Sequence, residues 1–317
     1  MKNLIKKIQN EAYLNQLWRK GDKIIIGVSG GPDSVCLLDI LAKIKEKFEI
    51  ELHIAHVNYG LRGKDSEKDE KLIQALAEKY QISLSILKSE KLRANQINEN
   101  SLRNIRYDFF EKVRKELDYD LIAVAHNQDD QVETFFLHLI RGAGLQGLSG
   151  MKCKNEKIVR PLLKISRKEI LEYLKNEKLK YRMDRTNKAD RFFRNKIRNR
   201  LIPQIERNFN PNIKKIIADS TLNIAEDLSF IAELSKKYFT DGKEIKISRI
   251  LKLHSALQKR IILEAIRKQR ESLENIESAH IEEIFKIMRS NKSKSQTFLF
   301  QGLKITRRGD KLFMLKQ

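Results

Sequence analysis

Cysteine is scarce: Cys36 and Cys153 are the only two in 317 residues, with no CxxC pair and no Cys/His cluster at zinc-like spacing. That argues against a disulfide framework, a structural metal site and an iron–sulfur centre. Long hydrophobic runs are missing too. The N-terminal stretch MKNLIKKIQNEAYLNQLW reads as an amphipathic helix without the apolar segment of a secretory leader, and no run approaches the ~20 residues that span a bilayer. No membrane association is expected, and the expected compartment is cytoplasmic. No internal repeat or low-complexity tract interrupts the chain, whose length predicts two domains or one large domain with an appendage.

Acidic side chains are also short in supply, but only in one half. Residues 1–150 carry 23 basic and 22 acidic side chains, whereas residues 151–317 carry 41 and 20, so +21 of the formal net charge of +22 lies in the second half. A generally Lys-rich proteome would raise both halves alike. A localised excess fits a long polyanion such as RNA or DNA, because each neutralised phosphate releases counterions.

Strand-like and helix-like stretches alternate through the first part: strand 23–29, helix 33–48, strand 51–57, helix 65–80, strand 82–88, helix 99–117, strand 121–126 and helix 129–140. Such alternation predicts an α/β fold, a parallel sheet with helices on both faces, and ligands at the carboxyl ends of its strands. The glycine-rich run 141–151 reads as a loop closing the sheet. Beyond it, helices are expected at 166–177, 194–207, 212–239, 248–270 and 277–290, and the alternating pattern of 297–316 around Arg308-Gly309-Asp310 predicts a small β-hairpin. A boundary near Phe209 divides a domain at 1–209 from a helical, basic, RNA-binding region at 210–317.

The strongest local signal is IIIGVSGGPDSVCLLDIL, a buried-strand pattern running through Ser29-Gly30-Gly31-Pro32-Asp33-Ser34 into an apolar helix. Two glycines let the backbone approach an anion closely, and the helix N-terminus adds positive partial charge, so phosphate is the expected guest. Ser29 and Ser34 can donate hydroxyl hydrogen bonds. Asp33 would repel phosphate unless a Mg²⁺ ion bridges them, although N-capping is its other reading. The Gly-Lys-Ser/Thr ending of a Walker loop is missing. SGGPDS instead resembles the PP-loop of ATP pyrophosphatases, which split ATP between the α and β phosphates and activate a substrate as its adenylate.

Four further segments follow predicted strands or open predicted helices. His56-Val57-Asn58-Tyr59-Gly60-Leu61-Arg62 follows the second strand. Ser101 to Tyr107 places Arg103 and Tyr107 on one helical face with Arg106 close by. Ala125-His126-Asn127-Gln128-Asp129-Asp130-Gln131-Val132-Glu133-Thr134 sets a histidine and two carboxylates at a strand mouth, where they can bind a metal or orient a nucleophile; helix capping accounts for one of the two aspartates. Asp184-Arg185-Thr186-Asn187 precedes Arg194 and Arg198, which stand one turn apart and could grip two phosphate or carboxylate groups.

In this order the segments resemble HVNHGLR, AHxxDDQxET…RGxGLxGL and DxTN…RNxIRxxxIP of the tRNA(Ile)-lysidine synthetases, with Tyr59 in place of a histidine often found there. The resemblance covers roughly Lys23 to Pro211 and implies a Rossmann-like PP-loop domain. It implies an ATP-dependent ligase that joins free L-lysine to C2 of the wobble cytidine of a CAU-anticodon tRNA(Ile). The cytidine oxygen attacks the α-phosphorus, pyrophosphate leaves, and lysine then displaces AMP. It assigns ATP to Ser29, Gly30, Gly31, Pro32, Asp33, Ser34, His56 and Asn58. Catalytic roles fall to Asp33, Arg103, Asp130 and Arg194, and contacts to tRNA or phosphate to Arg62, Arg106 and Arg198. Asp129, Asp130 and Glu133 are candidates for lysine or metal, with no structural metal expected. A second copy of the chain is an allowed partner, and the C-terminal end resembles the shorter type in the family. Two other readings stay open, namely a base-thiolating PP-loop enzyme and a non-catalytic RNA-binding protein.

Overall fold

The computed structural model describes residues 2–61, 63–88, 99–183, 193–238, 244–270, 273, 275–292 and 294–316. They form two compact units, Met1–Leu222 and Asn223–Gln317. The division falls within one helix, α10 (Ile213–Lys236).

In the first unit the expected alternation is present. Helix α1 (Lys2–Leu14) precedes β1 (Lys23–Gly27), α2 (Pro32–Phe48), β2 (Glu51–Asn58), α3 (Lys64–Tyr80), β3 (Ser83–Lys88), α4 (Glu99–Glu116), β4 (Leu121–Ala123) and α5 (Gln128–Ile140). The glycine-rich run is more than a plain loop, because it holds a short helix, α6 (Leu145–Leu148). Two strands of two residues follow, β5 (Lys154–Asn155) and β6 (Ile158–Val159). The sheet order is β3-β2-β1-β4-β6-β5, parallel throughout except for the β5–β6 pair. Strand order therefore reverses between β1 and β4, the place where an open α/β sheet opens a ligand crevice.

β1 shows why the sheet is buried on both sides. Ile24 and Ile26 pack into one core with Leu37, Leu41 and Ile54, while Ile25 faces a second core with Ala55, Phe110 and Ile122. Alternate side chains of a strand point to opposite faces, so three consecutive isoleucines feed both layers. Gly27 ends the strand where no side chain fits, since a Cβ there would lie 2.5 Å from the Phe110 ring.

After β6 come α7 (Arg167–Asn176), α8 (Phe193–Lys196), a π-helical turn Ile197–Leu201, and α9 (Ile202–Asn208). The sequence reads 194–207 as one regular helix; the π turn inside it is invisible to a 3.6-residue pattern and is a feature often found at functional sites. It packs with α9 and α5 through Val132, Phe136, Ile197 and Ile202.

In the second unit, β7 (Glu244–Lys246), α11 (Ile247–Leu251), α12 (Ser255–Arg270) and α13 (Ser278–Arg289) are followed by β8 (Gln296–Phe300), β9 (Leu303–Arg308) and β10 (Lys311–Lys316). The predicted hairpin is β9–β10, and it forms the two inner strands of an antiparallel sheet ordered β7-β10-β9-β8. Ile261, Ile262, Ile284 and Phe285 of the helices close a core with Ile305, Leu312 and Met314 of the sheet.

Candidate active site

The loop after β1 turns on Gly30, whose φ of +81° lies in the left-handed region that glycine tolerates at no steric cost. The Ser34 hydroxyl donates to the Gly31 carbonyl at 2.9 Å and accepts the Ser29 N–H at 3.2 Å, which closes the loop over the start of α2. From outside, the Arg182 N–H donates to the Gly30 carbonyl at 2.9 Å, and its guanidinium is tied to Asp65 and Asp69 of α3. Pro32 occupies the first turn of α2, and the N-cap residue Gly31 offers no side-chain cap. The helix thus presents uncapped N–H groups and its positive end to an incoming anion.

Asp33 sits in that first turn. Its carboxylate pairs with the Arg167 guanidinium through Oδ2, while Oδ1 is buried without a protein partner among the described residues. Burial raises its pKa, Arg167 opposes the rise, and nearby Asp130 adds to it. An orphaned carboxylate oxygen beside a phosphate cradle suits an oxygen-seeking cation, so the donor chemistry here fits Mg²⁺.

Across the crevice, β4 leads into α5. Asn127 and Asp130 form a reciprocal capping box, each accepting the other's backbone N–H at 3.0 Å. Asp129 accepts the Arg167 backbone N–H at 2.8 Å and pairs with Lys214 Nζ at 3.1 Å. Glu133, 1% exposed, takes both arginines from the far side of the site: Arg194 Nε donates to it at 2.7 Å and Arg198 Nη2 at 2.8 Å. Both guanidiniums also reach Asp130 Oδ1, at 3.2 and 3.4 Å. The expected grip of Arg194 and Arg198 on carboxylates is therefore made within the protein.

One cleft of about 180 Å³ is lined by Ser29, Gly31, Asp33 and Ser34 of the loop, His56 of β2 and Tyr59 just after it, Arg106 and Tyr107 of α4, and His126 beyond β4. His56 donates from Nδ1 to the Val28 carbonyl at 2.8 Å, which leaves Nε2 as a buried bare acceptor. Burial lowers its pKa, so the ring is neutral. His126 is pushed further down, first by burial and then by the guanidiniums of Arg160, Arg103, Arg194 and Arg106. Of these four, Arg106 lines the cleft itself and brings positive charge to it, which suits a polyphosphate.

Not every expected residue lies at the cleft. Asn58 is occupied in shaping its own turn, donating to Glu70 at 2.9 Å and accepting the Gly60 N–H at 2.9 Å. Arg103 stacks 4.7 Å from the Tyr107 ring centroid and donates to its hydroxyl at 3.4 Å, so Tyr107 stands between it and the cavity. Arg62 and the Asp184-Arg185-Thr186-Asn187 segment fall outside the described residues. Sequence reasoning missed Arg160, Arg167 and Lys214. Arg167 opens α7 directly after its N-cap Ser166, and an N-cap signal is a legible marker; Arg160 follows a two-residue strand that leaves no periodic trace.

Residues 2–205 match the PP-loop domain family. A tRNA(Ile)-lysidine synthase from Clostridium tetani is 37% identical over 92% of this chain and 65% of its own length. Those from Clostridioides difficile and Chlorobaculum tepidum are 30% and 33% identical, covering 98% and 80% of this chain and 70% and 74% of theirs. The chain thus spans a little under two thirds of the Clostridium tetani protein. Among solved structures, a U34-tRNA thiolase from Methanococcus maripaludis with its 4Fe-4S cluster superposes with a TM-score of 0.60 at 22% identity, over 71% of this chain and 78% of that one, a likeness of fold. With identity of 30% or more extending over most of both partners, a PP-loop match through residue 205 and the loop geometry in place, the chain belongs to the tRNA(Ile)-lysidine synthase family.

Proposed function

We propose that the chain uses ATP to join free L-lysine to C2 of the wobble cytidine in a CAU-anticodon tRNA(Ile), releasing pyrophosphate and AMP. The observation that carries this reading is the convergence, at the β1/β4 switch point, of a phosphate loop, an orphaned carboxylate oxygen and the Arg106 guanidinium. The cytosine C2 oxygen is a poor leaving group as it stands. Its attack on the α-phosphorus forms an O-adenylate and expels pyrophosphate, whose growing charge the loop N–H groups, Arg106 and His126 are placed to meet. Asp33 would hold Mg²⁺, which when bound supplies charge neutralisation for the phosphates.

Lysine then attacks C2 and AMP leaves with the former C2 oxygen. Its ε-amine, with a pKa of about 10.4, must first shed a proton. Asp129 has one oxygen on a backbone N–H and the other on Lys214. Asp130 is the better acceptor of the two, because among the described residues its Oδ1 is held by the long contacts to Arg194 and Arg198, which an ammonium can replace. Glu133 backs it from within. The RNA grip is assigned to the basic second half, and the target cytidine must be splayed from its loop to enter the cleft.

Base thiolation is the weaker reading. Burial raises the pKa of both Cys36 and Cys153, which disfavours the thiolate that sulfur chemistry needs. The discriminating experiment supplies ATP, tRNA(Ile) and either lysine or a sulfur donor. Lysine-dependent AMP release supports ligation. Thionucleoside formation, or tRNA binding without turnover, overturns it.

A further inference from the structure

We infer that Arg160 is a positioning residue that fixes His126 as the Nε2–H tautomer, so that this imidazole meets the cleft as a neutral hydrogen-bond donor. The inference rests on the reading of the cleft as a site for ATP and adds a residue outside the family motifs quoted above.

The geometry carries it. Arg160 is 6% exposed and follows β6, next to β4 in the sheet, so the short strand delivers its side chain beneath the β4–α5 turn. Its Nη1 donates to the Lys152 carbonyl at 2.9 Å, which fixes the plane of the guanidinium. Its Nε donates to His126 Nδ1 at 3.3 Å. A guanidinium has donors only, so Nδ1 must be the bare nitrogen and the ring proton must sit on Nε2. An imidazolium would present an N–H at both nitrogens and lose this bond. The other charged groups acting on the ring, Arg103, Arg106 and Arg194, are cations as well, and they too oppose a second proton. His126 lines the same cleft as Ser29, Gly31 and Asp33. A neutral Nε2–H donor at this place suits a phosphoryl oxygen that gains charge as pyrophosphate leaves, and a general-base role for the ring is excluded because its basic nitrogen faces Arg160.

The test uses the full chain labelled with ¹⁵N-histidine, with the His126 signal assigned through His126→Gln. Wild-type protein should show a single proton on Nε2 and form imidazolium only well below the ordinary value of about 6.5. Arg160→Met keeps the apolar stem and removes the donor. It should spread the proton over both nitrogens, bring imidazolium formation back toward the ordinary pH, and lower kcat for ATP-dependent pyrophosphate release about tenfold with little change in KM for ATP. Arg160→Lys retains a donor and should restore part of the tautomer preference. A wild-type spectrum with the proton on Nδ1 overturns the inference, as does an unchanged tautomer in Arg160→Met. If Arg160→Met fails to fold, the wild-type spectrum decides. Because the tautomer is read without turnover, a correct spectrum in a chain that modifies no tRNA would sink the proposed function and leave this inference standing.

Discussion

Glu133→Gln isolates the electrostatic joint that holds the second wall of the site. Glu133 is 1% exposed and neutralises Arg194 and Arg198 together. Breaking a buried pair by removing one charge costs about 3–5 kcal/mol, because the partner is left uncompensated. Two features place this site at the lower end. Arg198 is 40% exposed and water screens it, and Asp130 Oδ1 remains within reach of both guanidiniums. The glutamine carbonyl also still accepts one N–H bond. A loss of about 3 kcal/mol, spread over a unit of this size at about 2–4 °C per kcal/mol, lowers the Tm by about 6–12 °C. Differential scanning calorimetry of the ligand-free protein reads this directly. Adding Arg194→Gln to Glu133→Gln should recover part of the loss, since it removes one of the two guanidiniums that would then share Asp130. A Tm within about 2 °C of wild type, or a double variant that is worse by the full cost of both single changes, would refute the view that these charges form one coupled cluster.

Asp33→Asn should abolish pyrophosphate release while leaving tRNA affinity near normal, as checked by turnover and filter binding. Its stability effect has a definite sign: the folded pKa is raised above 3.8, so the native state binds the proton more tightly, and the charged carboxylate costs stability as pH rises through the folded value. The difference in Tm between Asp33→Asn and wild type should therefore move in favour of the variant from pH 4 to pH 7, and a shift the other way would contradict the burial argument. Asp130→Asn keeps its shape and its backbone partner but loses its charge, so kcat/KM for lysine should fall about 100-fold with the KM for ATP unchanged; unchanged lysine kinetics would remove it as the ammonium acceptor. The basic excess predicts that log affinity for tRNA falls steeply with log salt, and that replacing exposed Lys304 and Arg308 with Gln lowers the slope by up to about 1 for each phosphate that is no longer neutralised. Equal slopes would make those two side chains bystanders.

Much of this was written in the sequence because the signals were long or chemically exclusive. Ile24 to Ile26 announce a strand buried on both faces, and Gly30-Gly31-Pro32 before an apolar helix announces a phosphate turn. What stayed hidden was short or distant. β5 and β6 have two residues each, below the length at which a period of two can register, and Arg160 was hidden with them. The π turn at Ile197–Leu201 has the same residue preferences as an ordinary helix. Arg194 and Arg198 were legible as anion grips, but not that Glu133 and Asp130, more than 60 residues away, receive them, because side-chain pairing over that separation is decided by how α5 and the π turn pack. The helices of the second unit were legible, but of its sheet only the inner hairpin was, since β7 is three residues long and β8 is half exposed along its length.

The most direct test of the central claim is nucleoside analysis of tRNA(Ile) carrying a CAU anticodon after incubation with the full chain, ATP, Mg²⁺ and ¹⁴C-lysine. The account predicts that label appears at the wobble cytidine in proportion to AMP released, and that Asp33→Ala incorporates none. Wild-type protein that releases AMP without placing label on that cytidine, or that labels it without consuming ATP, would contradict it.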